Sequence, residues 1–206
     1  MIVLVDYGMG NLRSVQKAFE RCGAMPKITC EASDIEKADK IILPGVGAFS
    51  QAMRELKKRR LAGVLKEKVL GGTPYLGLCL GLQLLFSWSE EGDAKGLDIL
   101  PGRVQKFKGN IKIPHMGWNT LSLRKKHCAL VNDVRPADYF YFVHSFYAVP
   151  EERSDILAVT QYGGEFCSAV WRGNIFATQF HPEKSQEAGL RLIENFIAYE
   201  GATCSC

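Results

Sequence analysis

The sequence predicts an α/β protein: a mainly parallel central sheet flanked by helices, with antiparallel strands added in its C-terminal half. Three observations predict it. Short apolar runs alternate with helical apolar spacing through the first half, the pattern of βαβ units. Those runs are apolar at nearly every position, as expected of strands covered on both faces. From about residue 99, strand-like stretches follow one another directly, with glycine-bearing turns between several of them.

The elements follow in order. Residues 2–5 form an apolar run that ends in Asp6-Tyr7-Gly8-Met9-Gly10-Asn11, a glycine-punctuated loop. Leu12, Val15, Phe19 and Cys22 then recur at helical spacing. Residues 27–30 form a weaker strand. Ile41-Ile42-Leu43 is a strand cut by Pro44-Gly45-Val46-Gly47, after which Phe49, Met53 and Leu56 mark a helix. Residues 75–78 form the next strand, running directly into a helix bearing Leu80, Leu82, Leu84, Leu85 and Phe86. Strand-like stretches follow at 104–107, 118–123, 139–149, 156–162, 166–171 and 175–180. Gly163-Gly164 and Arg172-Gly173-Asn174 supply hairpin turns. A last helix over 186–199 places Leu190, Ile193, Phe196 and Ile197 on one face. No repeat or linker interrupts the series, so residues 1–206 read as one domain.

Composition narrows the function classes. Residues counted as hydrophobic make up 47% and charged residues 23% of 206, which excludes a disordered chain, a collagen and a coiled coil. No apolar run nears the roughly 20 residues of a membrane span. The N-terminus meets Asp6 after four apolar positions and lacks a basic leader, so a signal peptide is not expected and the cytosol is. With 26 basic residues against 22 acidic ones, the charge is too mild to imply nucleic acid. Lys57-Lys58-Arg59-Arg60 reads as a solvated helix end. Seven cysteines at irregular spacing do not form a disulfide framework, and Thr203 stands where a prenylation box needs cysteine. Cys204 and Cys206 read as part of a frayed C-terminus. Most of these thiols are expected to be small buried hydrophobes. One is placed differently.

Gly77-Leu78-Cys79-Leu80-Gly81 follows a predicted strand and opens a predicted helix, the setting of a nucleophile elbow. The glycines give room beside the nucleophile. A thiol at a helix N-terminus meets unpaired N–H groups and the positive end of the helix dipole, both favouring thiolate. The Leu80 N–H is expected to point where an oxyanion forms. A buried structural cysteine is the ordinary alternative. His181-Pro182-Glu183 weighs against it: in an extended segment residues i and i+2 share a side, so Glu183 can accept a hydrogen bond from His181. Pro182 is expected to keep that segment from turning helical. A carboxylate that fixes an imidazole is the third member of triad logic. Cys79 and His181 lie about 100 residues apart, as expected of a triad assembled by the fold.

Pro44-Gly45-Val46-Gly47 ends a predicted parallel strand at the carboxyl edge, where α/β sheets place their sites, and its glycines let backbone N–H groups approach a ligand. Gly8-Met9-Gly10-Asn11-Leu12-Arg13 fails as a dinucleotide fingerprint, because arginine stands where the third glycine belongs. There is no Walker A sequence and no close set of His/Cys ligands, so neither cofactor nor metal is expected.

Gly77-Leu78-Cys79-Leu80-Gly81-Leu82-Gln83 with His181-Pro182-Glu183 resembles the class I (triad) glutamine amidotransferases. Asp6-Tyr7-Gly8-Met9-Gly10-Asn11, Pro44-Gly45-Val46-Gly47-Ala48-Phe49, His115-Met116-Gly117-Trp118-Asn119 and Gln179-Phe180-His181-Pro182-Glu183-Lys184-Ser185 narrow the resemblance to the branch serving histidine biosynthesis. It spans residues 2 to about 199. The resemblance implies glutamine hydrolysis with Cys79 as nucleophile, His181 as acid and base, and Glu183 orienting it. It implies oxyanion donors at Val46, Gly47 and Leu80, and glutamine held by Gln83 and the backbone of His144, Ser145 and Phe146. Phe146 stands where the family usually carries tyrosine, which puts a hydroxyl contact there in question. The implied partner is a (β/α)8-barrel cyclase subunit, forming a heterodimer through which ammonia passes. Trp118, outside the triad, is assigned either to that interface or to the core. Two rivals stay open: a paralogue that feeds ammonia to a surface-sugar amidating enzyme, and a non-catalytic binding module.

Overall fold

The computed structural model describes residues 1–201; Cys204 and Cys206 lie outside the described residues. The first strand, β1 (Ile2–Val5), organises the N-terminal half by pairing in parallel with two neighbours. Val3 faces Lys27 in β2 (Lys27–Thr29) and Ile41 in β3 (Lys40–Leu43). Between them run α1 (Leu12–Arg21), whose first turn is capped by the Asn11 side chain accepting from the Ser14 N–H, and the short α2 (Ala32–Glu36). Then come α3 (Phe49–Lys58) and α4 (Leu61–Leu70). The strand β4 (Tyr75–Leu78) pairs in parallel with β3 on one side. All four of its residues are buried, the two-sided covering that its apolar run predicts.

After Cys79 the sequence predicts a helix through Leu85. The chain instead makes one turn, α5 (Leu80–Gln83), and enters a strand, β5 (Phe86–Ser89). Residues 80–86 are buried on every side, so periodicity carries no information there. The helix stops because its carbonyls are taken by another segment: Leu97 N–H donates to Leu84 O, and Ile99 and Leu100 N–H groups donate to Leu85 O.

The C-terminal half adds β6 (Ala94–Lys95), β7 (Leu100–Lys106), β8 (His115–Thr120), β9 (Ser122–Leu123), β10 (Tyr139–His144), β11 (Phe146–Pro150), β12 (Ile156–Gln161), β13 (Glu165–Arg172) and β14 (Ile175–Thr178). Among the described residues the main sheet runs β2-β1-β3-β4-β14-β13-β11-β7-β5-β6, with β12 and β9 branching from β13. Its β2 to β14 portion is parallel, and antiparallel pairing begins between β14 and β13. The expected α/β architecture is therefore present.

Two predicted strands are each split. The stretch 139–149 breaks at Ser145: β10 pairs with β8 in a separate two-stranded sheet, whereas β11 pairs with β7 and β13 in the main one. The stretch 118–123 breaks at Leu121 between β8 and β9. Alternation of side chains continues through both points, and a change of backbone partner leaves no mark on it. The last helix, α6 (Gln186–Ala198), buries Leu192, Ile193 and Phe196, each worth about 1.5–3 kcal/mol of transfer free energy. No helix among the described residues is long and apolar enough to cross a membrane.

Candidate active site

The parallel pair β4/β14 aligns Leu78 with Thr178, so Cys79 and Gln179 emerge side by side at the carboxyl edge of the sheet. Cys79 has φ 53° and ψ −103°, a conformation an L residue adopts at a cost. Its N–H donates to Thr178 O at 2.7 Å, which pins the strained residue to the next strand. Gly77 and Gly81 close the elbow: a Cβ on Gly81 would sit 1.9 Å from Leu43 O, and one on Gly77 would sit 2.6 Å from Gly81 O. The steric role predicted for both glycines is present. The dipole argument is not, because a one-turn α5 sums few peptide dipoles.

His181 supplies the electrostatics instead. Its Nδ1 lies 2.8 Å from Glu183 Oε1, with both side chains at most 3% exposed. Burial pushes the imidazole pKa down, but the Cys79 sulfur and then the Glu183 carboxylate outweigh it and carry it up to about 10. The ring is therefore an imidazolium near neutrality, poised beside a sulfur that gains from its charge. Residues 182–184 form a 3-10 turn, not the extended segment expected. Pro182 stands at its first position, where a helical φ is preset and no N–H is required. The turn is held by the Ser185 hydroxyl, which donates to His181 O at 2.6 Å and accepts from the Tyr141 N–H at 3.0 Å.

A cavity of about 430 Å³ opens above Cys79, and Val46, Gly47, Leu80, Gln83, His144, Ser145 and Phe146 all line it. His181 and Glu183 are buried and do not line the cavity. The Leu80 N–H donates to Gly45 O at 3.4 Å, a long contact that an oxyanion would have to displace. Gly47, at φ 102°, sits in the left-handed region that its residue type permits. Gln83 Nε2 donates to Phe146 O at 3.0 Å and to Gln179 Oε1 at 3.1 Å.

Sequence reasoning missed Glu91, which lines the same cavity. Its Oε2 accepts from the Phe49 N–H at 2.8 Å and so caps α3 from 42 residues away, a contact no local pattern announces. Gln179 belongs to a quoted motif, yet no role follows from its position in sequence. Trp118 is 46% exposed, which rules out the core alternative. It stands on β8 opposite Tyr141, with ring centroids 5.8 Å apart.

The sequence profile of the family described as "Glutamine amidotransferase class-I" matches residues 3–199. The chain is 48% identical to the imidazole glycerol phosphate synthase subunit HisH of Syntrophotalea carbinolica, over 95% of this chain and 98% of that one. It is 49% identical to the subunit of the same name from Rhodopirellula baltica, over 95% and 96%. Among solved structures, PurLQS from Thermotoga maritima superposes with a TM-score of 0.75 at 20% identity, covering 95% of this chain and 96% of that one.

Proposed function

From the chain's membership of the class I glutamine amidotransferase family, we propose that its single domain hydrolyses glutamine as the ammonia-supplying subunit of an imidazole glycerol phosphate synthase. The observation that carries this is a buried His181–Glu183 pair acting on the sulfur of Cys79, which lines the cavity.

Cys79 attacks the carboxamide carbon of glutamine, and the C=O π pair moves to oxygen. The strap at Val46-Gly47 and the Leu80 N–H, once released from Gly45 O, stabilise that oxyanion. His181, held charged by Glu183, gives its proton to the departing nitrogen as the C–N bond breaks, and ammonia leaves. The same imidazole then takes a proton from water, which attacks the thioester and releases glutamate. Gln83 and the 144–146 backbone flank the substrate. Glu91, the only carboxylate on the cavity wall among the described residues, supplies the charge that the α-ammonium of glutamine requires. Each step is met by a side chain or a backbone N–H group of this chain, and no metal or cofactor is called on.

Ammonia protonated in bulk water is no nucleophile, so its consumer must cover the cavity. We assign that place to the cyclase subunit, a (β/α)8 barrel, which uses ammonia to form imidazole glycerol phosphate and an aminoimidazole carboxamide ribotide; the heterodimer works in the cytoplasm. Cys79→Ala tests the scheme. It should abolish glutamine-dependent synthase activity while the assembled complex still turns over with ammonium salt. Glutamine hydrolysis by the variant would refute Cys79 as nucleophile. Failure of the wild-type chain to support synthesis with the cognate cyclase would favour the surface-sugar paralogue.

A further inference from the structure

Gln179 is fully buried, and its side chain has an orientation that its neighbours dictate. The starting point is Phe146 O, a carbonyl that can only accept. It receives Gln83 Nε2 at 3.0 Å, which fixes that nitrogen as the donor end of Gln83. The same nitrogen lies 3.1 Å from Gln179 Oε1, so the Gln179 oxygen must face Gln83. The Gln179 nitrogen is thereby turned to Cys79 Sγ, 3.6 Å away. Flipping the carboxamide would set two NH₂ groups against each other and an oxygen lone pair against sulfur. Phe146 O is itself held from the other side by the His144 Nδ1–H at 2.7 Å. The backbone reinforces the placement, because the Gln179 N–H donates to Ser168 O at 2.9 Å and Cys79 is tied to the preceding residue, Thr178.

We propose that Gln179 is a further catalytic residue of the glutaminase reaction, donating a hydrogen bond to the Cys79 sulfur that strengthens as the sulfur becomes a thiolate, with Gln83 holding it in the donating orientation. The proposal rests on Cys79 being the nucleophile. A donor of this kind complements His181: between the proton's transfer to ammonia and its return from water the imidazole is neutral, and Gln179 is the donor that stays on the sulfur through that interval and as the thiolate leaves. A hydrogen bond to an ionised acceptor is about twice as strong as one to a neutral acceptor, so the contact favours the thiolate over the thiol.

The test is the pH dependence of Cys79 alkylation by iodoacetamide, which reads the thiolate without requiring turnover, in the full chain and two variants. Gln179→Met keeps length and removes the donor; Gln179→Glu keeps shape and replaces the donor with an acceptor. Either folded variant should move the alkylation midpoint upward by about one pH unit and lower kcat for glutamine hydrolysis about tenfold, with KM within about twofold. An unchanged midpoint in a folded variant overturns the proposal, because a packing role would not hold the thiolate. Should neither variant fold, the side-chain ¹⁵N resonance of Gln179 in the wild-type chain must follow the thiol titration, and a flat resonance overturns the proposal equally. A wild-type profile with no thiolate limb at all would sink the nucleophile assignment, and this proposal with it; wild-type behaviour in the variants alone sinks only the latter.

Discussion

His115 and His144 are bonded to each other inside the protein, Nδ1 to Nε2 at 3.0 Å, with Phe107, Phe142 and Phe166 packed around the pair. The His144 Nδ1–H is committed to Phe146 O, so its Nε2 accepts from His115. Both rings are therefore neutral. Burial pushes His115 down to about 4, and burial, partly offset by the Phe146 carbonyl, pushes His144 to about 3. In the unfolded chain each titrates near 6.5. As pH falls below about 6.5 the unfolded state binds protons that the native state refuses, so stability declines until the folded values are reached. His181 adds nothing in this window, being protonated in both states. The urea midpoint should thus fall between about pH 6.5 and 5, before ordinary carboxylates titrate, and His115→Gln should flatten the decline. A midpoint constant across that range would contradict the neutral pair.

At the alkaline end the sign reverses. His181 is raised to about 10, so the stabilisation it carries is complete below about 6.5 and is lost as pH rises through 10. In the proposed reaction the same proton is the one given to ammonia. Glu183→Gln removes one of the two groups that raise this pKa, so the alkaline limb of kcat/KM should move to lower pH. His181→Ala should cost more in kcat than Glu183→Gln, within the roughly 10²–10⁴-fold range of single acid–base groups, because His181 moves protons in both half-reactions. Equal losses in folded protein would contradict the division of roles.

Cys79, its strand-edge setting and the His181–Glu183 pair were legible because their signals are local. Cys79 sits between two glycines at a strand end, and His181 is two residues from its carboxylate. What stayed hidden is set by partners distant in sequence. Nothing near Leu84 announces that residues 97–100 will claim its carbonyls and end the helix. Nothing near Ser145 announces that the chain changes sheets there. Glu91 and Gln179 owe their importance to contacts made 42 and 100 residues away. Such contacts follow only from strand order.

The elbow makes a stability prediction independent of chemistry. A methyl on Gly81 would lie 1.9 Å from the Leu43 carbonyl oxygen, and neither backbone can yield without separating α5 from β3. Gly81→Ala should therefore destabilise the chain by about 3 kcal/mol or more, at or beyond the upper end of ordinary overpacking. Chemical denaturation measures it. A loss below about 0.5 kcal/mol would mean the elbow has slack that the packing denies.

Glu91 joins two tasks, and one substitution separates them. Glu91→Gln keeps an oxygen to accept from the Phe49 N–H but removes a carboxylate from the cavity wall. We expect KM for glutamine to rise at least about tenfold, or about 1.4 kcal/mol, with the melting temperature little changed. Glu91→Ala should add a loss of about 1 kcal/mol in stability, that of an ordinary helix cap. Unaltered KM in Glu91→Gln would remove the carboxylate from substrate recognition.

Trp118 tests where the partner sits. Alternation along β8 and β10 places Phe140, Phe142 and His144 inward, where all three are buried. Residues directly opposite share a face, so Met116, Trp118, Tyr141 and Val143 stand together on the other side. Met116 is 61% exposed and Tyr139 57%, while Val143 reaches the wall of the cavity over Cys79. This apolar, aromatic strip therefore runs from solvent to the wall of the cavity that Cys79 lines. Tryptophan is over-represented among interface residues whose truncation costs 2 kcal/mol or more, and this one already has its ring edge-on to Tyr141 rather than packed inside. Trp118→Ala should fold with a nearly unchanged melting temperature yet bind the cyclase subunit at least about tenfold more weakly, or about 1.4 kcal/mol. Titration calorimetry against the cyclase, paired with thermal melts of the isolated chain, distinguishes the outcomes. Unchanged affinity would move the docking face away from β8, and a large drop in melting would return Trp118 to a structural role in the small sheet.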